Sequence, residues 1–263
     1  MLTTSIDEHT QMSLVLFEVR DHIALITLNN PQKRNMLTLE VCDQITEYVA
    51  QAEAHTEVKA LIVTGAGSAF CAGGQLSDIH PNSKILNRIY SGFLSIAQCT
   101  IPTVAAVNGP AVGAGFNMAV GCDVRIVTEN ARFEPRFFGL GLHPGGGNSW
   151  MMRQLCNWDT AAGMLLFSQA LTGAEAVAKG LAWECVDSDA LLDRAIAYTA
   201  NIRSTPKELL VRTKQTLRSA DAGKSHDEII DIETEHQVWS LQQPYAQTAI
   251  ATMMKKISSD TDV

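Results

Sequence analysis

The chain has 263 residues, 46% hydrophobic and 18% charged, the composition of an ordinary globular protein able to bury a sizeable core. Its formal net charge of −8 excludes a general field that attracts nucleic acid, so a polyanionic ligand needs local basic residues. It contains no run of about eighteen apolar residues, so no transmembrane helix and no membrane partner are expected.

Met1 to Ser13 is polar and carries Asp7 and Glu8. Lacking a basic start and an apolar stretch, it reads as a leader rather than a secretory signal. The next elements are two β-rich runs, Leu14 to Arg20 and His22 to Leu28, joined at Asp21 as a hairpin. Thr38 has the chemistry of an N-cap for a helix running to about Ala54. A strand at Ala60–Thr64 leads into Phe70-Cys71-Ala72-Gly73-Gly74-Gln75. Apolar positions Ile85, Leu86, Ile89, Phe93, Leu94 and Ile96 predict a helix over Ser83–Ala97. A second strand, Thr103–Val107, leads into Asn108-Gly109-Pro110-Ala111-Val112-Gly113-Ala114-Gly115-Phe116-Asn117, with a helix expected to end near Gly121 and a short strand at Val124–Val127. From Leu191 the pattern is helical throughout: Leu191–Ile202, Pro206–Leu217, His226–Trp239 and Ala246–Ile257. Strands alternating with helices place the chain in the α/β class, followed by an all-helical end.

The six cysteines, Cys42, Cys71, Cys99, Cys122, Cys156 and Cys185, are scattered and form no C-x-x-C pair. Neither a zinc site nor a disulfide framework is expected, and a reducing, cytoplasmic setting is. Each glycine-rich segment follows a strand, and strand, glycine turn and helix together can aim backbone N–H groups at an anion. Two such turns about forty residues apart can converge on one oxygen, an arrangement suited to a carbonyl that becomes an oxyanion. Taken singly, either turn is equally a tight bend with close strand–helix packing.

The flanking segments resolve this ambiguity by resemblance. Leu28-Asn29-Asn30-Pro31-Gln32-Lys33-Arg34-Asn35-Met36-Leu37 precedes both turns, and Gly121-Cys122-Asp123-Val124-Arg125-Ile126-Val127 follows the second. Leu140-Gly141-Leu142-His143-Pro144-Gly145-Gly146-Gly147, Leu171-Thr172-Gly173-Ala174-Glu175-Ala176 and Gly180-Leu181-Ala182 come next. In this order and spacing, from about Val15 to the C-terminus, the chain resembles the enoyl-CoA hydratase/isomerase (crotonase) superfamily. The resemblance implies a spiral of β-β-α turns over 14–200 and a helical region over 201–263 that covers the pocket and mediates trimerisation. It also implies a homotrimer or a dimer of trimers, with an acyl-CoA as substrate and no cofactor beyond coenzyme A itself.

The resemblance assigns the oxyanion N–H groups to Gly74 and Ala114. It sets Arg34 and Met36 beside the coenzyme, with Arg34 near phosphate, and lines the acyl-pantetheine channel with Ala72, Gly73, Gln75 and Gly113. Lys255, with Lys256, matches a basic helix end that can reach coenzyme A or stay solvated. The two glutamates that family hydratases use for acid–base work fall on Asn117 and Phe137. An amide orients water without accepting its proton. A shift of three residues recruits Glu134, which Arg132 and Arg136 can instead hold as a structural ion pair. His143 is either a general acid or base or a packed histidine, and His80 can face the acyl pocket or sit idle in its loop. Asp123 reads as a strand anchor. Three readings stay open: a lyase or isomerase of enoyl thioesters, a decarboxylase forming its enolate by loss of a carboxylate, and a non-catalytic acyl-CoA binder.

Overall fold

A computed structural model describes residues 13–78 and 81–261. The leader assigned to 1–13 therefore lies, but for Ser13, outside the described residues, and so does His80. Strands β1 (Val15–Arg20) and β2 (Ile23–Leu28) pair antiparallel. Their turn uses Asp21 and His22 together, at φ 48° and 67°, the doubly left-handed pair that matches the twist of a two-residue hairpin. Helix α1 (Leu39–Ala54) starts where expected: the Thr38 side chain accepts from the Val41 N–H. Its buried stripe is Val41, Cys42, Ile45, Val49 and Ala52.

Strand β3 (Ala60–Gly65) returns parallel to β2, and α2 (Ser83–Gln98) follows, capped by Asn82. Next come β4 (Thr103–Val107), β5 (Pro110–Val112), α3 (Ala114–Gly121), β6 (Val124–Thr128) and β7 (Arg132–Glu134). Helices α4 (Asn148–Leu155) and α5 (Trp158–Leu165) precede β8 (Leu171–Thr172), α6 (Gly173–Ala178), β9 (Glu184–Val186) and α7 (Leu191–Tyr198).

The large sheet runs β1-β2-β3-β4-β6-β9, parallel from β2 onward, and the small one runs β5-β7-β8. Every residue of β3 and β4 is buried, which is why each reads as an unbroken apolar run. The segments β4-β5-α3 and β6-β7-α4 each contribute one strand to each sheet and then a helix. That is the β-β-α repeat of the crotonase fold.

Asp123 is the anchor expected of it, accepting from the Thr103 N–H at 2.7 Å and the Thr103 hydroxyl at 3.0 Å, which ties β4 to the start of β6. Buried Arg125 donates to the carbonyls of Cys122 and Leu181, and burial lowers its pKa. Helix α7 belongs with the sheet rather than with the helices after it: Leu191 and Ala195 pack against Ile23, Ile62, Val104 and Ile126. All six cysteines are free thiols.

The chain forms two compact units, one ending at Ser204 and the other beginning at Thr205. The second unit contains α8 (Lys207–Asp221), α9 (His226–Leu241) and α10 (Pro244–Thr261). Ser225 and Glu228 form a capping box on α9, and Arg212 of α8 lies 4.2 Å over the Trp239 ring. Among the described residues, no helix is long and apolar enough to cross a membrane, and no group of three metal-ligating side chains converges.

Candidate active site

The two glycine segments are brought together by backbone pairing. Cys71 bridges Ala111 in parallel, with the Val112 N–H donating to the Cys71 carbonyl at 2.9 Å. Gly74 and Ala114 each lie three residues beyond that bridge, so they arrive side by side.

The first segment opens only a single 3-10 turn, Leu76–Asp78, rather than the α-helix of the strand–turn–helix expectation. Gly74 pairs with Leu37 instead: the Leu37 N–H donates to the Gly73 carbonyl and the Gln75 N–H to the Leu37 carbonyl, both at 2.8 Å. The loop on the other side is held by Asn35, which is buried. Its side chain accepts from the Asn30 N–H and donates to the carbonyls of Ala66 and Ala69. Glycine is required at position 73, where φ is +97° and a Cβ would stand 2.8 Å from the Val112 carbonyl oxygen. The Gly73 N–H faces the Cys71 thiol, whose pKa burial pushes up to about 12.

The second segment behaves as expected. Ala114 is the first residue of α3, where a backbone N–H has no partner inside the helix. The amides of Gly74 and Ala114 meet no acceptor among the described residues. Both residues line one cavity of about 370 Å³.

Four residues of α2, Leu86, Ile89, Tyr90 and Phe93, form one wall, and Phe137, Leu140, Leu142 and His143 form another. Met36, Ala72, Gly73 and Gly113 also line the cavity. Arg34 and Gln75 do not. Arg34 is exposed in a left-handed turn, Gln75 donates to Asp78 at 3.0 Å, and Lys255 lies exposed on α10 in the second unit.

The acid–base candidates are reordered. Glu134 does not line the cavity. Its carboxylate accepts from Arg136 at 2.8 and 3.1 Å and lies 3.8 Å from Arg132. Alternation along β7 explains this, because Phe133 takes the buried side, stacked edge-on against Phe116, and its neighbours Arg132 and Glu134 take the other. Arg136 lines the cavity in its place.

Asn117 lines the cavity and is buried, but its amide is engaged. It donates to the Gly145 carbonyl at 2.8 Å and accepts from Asn148 at 2.6 Å, tying α3 to the Gly145–Gly147 loop. His143 lies at the exposed edge of the cavity with Nδ1 2.7 Å from the Pro144 carbonyl oxygen, so it is not a packed core histidine.

Tyr90 was not among the residues expected at the site. It is half-buried, and its hydroxyl abuts Gly145, where an added Cβ would collide with it. The signal lay in the spacing: Leu86, Ile89, Tyr90 and Phe93 share one helical face, and a count restricted to aliphatic residues and phenylalanine passes over the tyrosine.

A family model for enoyl-CoA hydratase/isomerase matches residues 18–255. The chain is 40% identical over 222 residues to a probable enoyl-CoA hydratase of Mycobacterium tuberculosis, covering 82% of this chain and 86% of that protein. It is 31% identical over 235 residues to the 1,2-epoxyphenylacetyl-CoA isomerase of Escherichia coli, covering 86% and 89% respectively. A probable enoyl-CoA hydratase/isomerase from Mycobacterium abscessus superposes with a TM-score of 0.84 at 27% identity, covering 93% of this chain and 97% of that one.

Proposed function

The chain belongs to the enoyl-CoA hydratase/isomerase family, and we propose that it takes a coenzyme A thioester whose carbonyl oxygen is received by the Gly74 and Ala114 amides. The observation that carries this reading is the pair of amides without a protein acceptor on one cavity wall. Charge that develops on the thioester oxygen as an enolate forms falls on donors already in place, each worth roughly 2.7–4 kcal/mol in comparable sites.

The reaction proposed is addition of water to a 2-enoyl-CoA, in line with the name of the Mycobacterium tuberculosis relative. It proceeds without the usual pair of carboxylates, since Asn117 and Phe137 stand at their positions. The exposed Arg34 is proposed to meet the coenzyme's phosphates, with Lys255 as a second cation, and the working assembly to be a homotrimer or a dimer of trimers.

Double-bond isomerisation is the second reading. The apolar and aromatic side chains of Leu86, Tyr90, Phe93 and Phe137 leave room for a bulky acyl group, and one relative is named 1,2-epoxyphenylacetyl-CoA isomerase. The test is titration calorimetry with butyryl-CoA, alongside incubation with crotonyl-CoA and a 3-enoyl-CoA. Hydration of the first thioester supports the lyase, and interconversion of the second supports the isomerase. Absence of butyryl-CoA binding refutes both.

A further inference from the structure

We propose that Tyr90 and His143 are the acid and base of the hydration, taking the place of the carboxylates that the cavity lacks; this rests on the thioester reading above. Among the described residues lining the cavity there is no aspartate or glutamate. The side chains there that carry an exchangeable proton are Tyr90, Asn117, Arg136 and His143.

Two of these are excluded by chemistry. Asn117 is an amide already engaged by Gly145 and Asn148. Arg136 is a guanidinium that keeps its protons, and it is held by Glu134. The other two are suited to opposite tasks. The Tyr90 hydroxyl hydrogen-bonds to none of the described residues, so its proton is available to whatever fills the cavity. Its position is fixed from two sides, by Gly145 and by the Phe93 ring at 5.6 Å. The His143 Nδ1 faces a carbonyl, which only accepts, so Nδ1 carries the hydrogen and the neutral ring presents its lone pair at Nε2.

The step balances. Nε2 of His143 takes one proton from water, and the water oxygen bonds to the β-carbon. The Cα–Cβ π pair shifts toward the carbonyl, giving an enolate whose oxygen rests on the Gly74 and Ala114 amides. The enolate then forms a Cα–H bond with the Tyr90 proton. The tyrosinate regains a proton from the imidazolium through solvent, so both side chains end as they began and one water has been added.

The experiment follows hydration of crotonyl-CoA and cinnamoyl-CoA by the full chain across pH, with butyryl-CoA affinity measured separately. Tyr90→Phe keeps the ring against Phe93 and is expected to lower kcat by about 10²- to 10⁴-fold with affinity retained, and to remove the alkaline limb of the profile. His143→Gln is expected to remove the acidic limb. Three results overturn the assignment while leaving the thioester reading intact: a wild-type chain that binds butyryl-CoA but hydrates neither probe, a Tyr90→Phe variant that keeps its kcat, and a variant whose affinity and kcat fall together over an unchanged pH profile. Absence of butyryl-CoA binding overturns both readings.

Discussion

Replacing Ala114 with proline removes one backbone N–H and very little else. As the first residue of α3, Ala114 contributes no N–H to the helical ladder, and proline is favoured at this position. The preceding Gly113 has ψ −113°, outside the α region that proline disfavours in its neighbour. The fold is therefore expected to survive with its melting temperature nearly unchanged. Losing one of two donors to the developing oxyanion costs roughly 2.7–4 kcal/mol of transition-state stabilisation, a fall of about 10²- to 10³-fold in kcat. The ring Cδ stands where the proton was, so butyryl-CoA affinity also falls, but by less than kcat. Ala114→Gly retains the N–H and is expected to keep the rate. The assay is steady-state turnover of an accepted enoyl thioester, with calorimetric binding and a thermal melt for each variant. A folded Ala114→Pro protein with undiminished kcat refutes the two-amide account.

Three further outcomes are expected. Asn117→Asp removes the donor to the Gly145 carbonyl and buries a charge, destabilising the fold by about 1–3 kcal/mol, measurable as a lower melting temperature; it does not raise the hydration rate. Glu134→Gln leaves kcat unchanged because its carboxylate does not line the cavity and is engaged by Arg132 and Arg136, and a large loss would return Glu134 to the mechanism. Cys42 and Cys71 resist thiol reagents in the folded protein at mildly alkaline pH, since burial pushes both up to about 12. Above pH 9 the unfolded chain ionises these thiols while the folded one does not. Their contribution to stability is complete below that point and is lost as pH rises toward 12, which denaturant titrations at successive pH values would follow.

What was legible in the sequence was local. The Thr38 cap, the β-branched runs of β3 and β4 and the helical spacing of α2 act over a few neighbouring residues, so their signals survive without a partner. The resemblance singled out Gly74 and Ala114, which line one cavity, because the motifs around both are nearly continuous. Strands β5, β7 and β9 were not legible: each has three residues and exists through its pairing with a distant strand. The same cause hid most of the site. Whether Glu134 faces the cavity depends on which side of β7 Phe133 fills, and whether Asn117 is free depends on a carbonyl 28 residues away. Tyr90 became a site residue only because α2 packs with that face toward the Gly145 loop. Short-range patterning determined which elements form; contacts between segments far apart in the chain decided which side chains reach the cavity, since burial and hydrogen bonding at those positions are satisfied only by partners the local sequence does not contain.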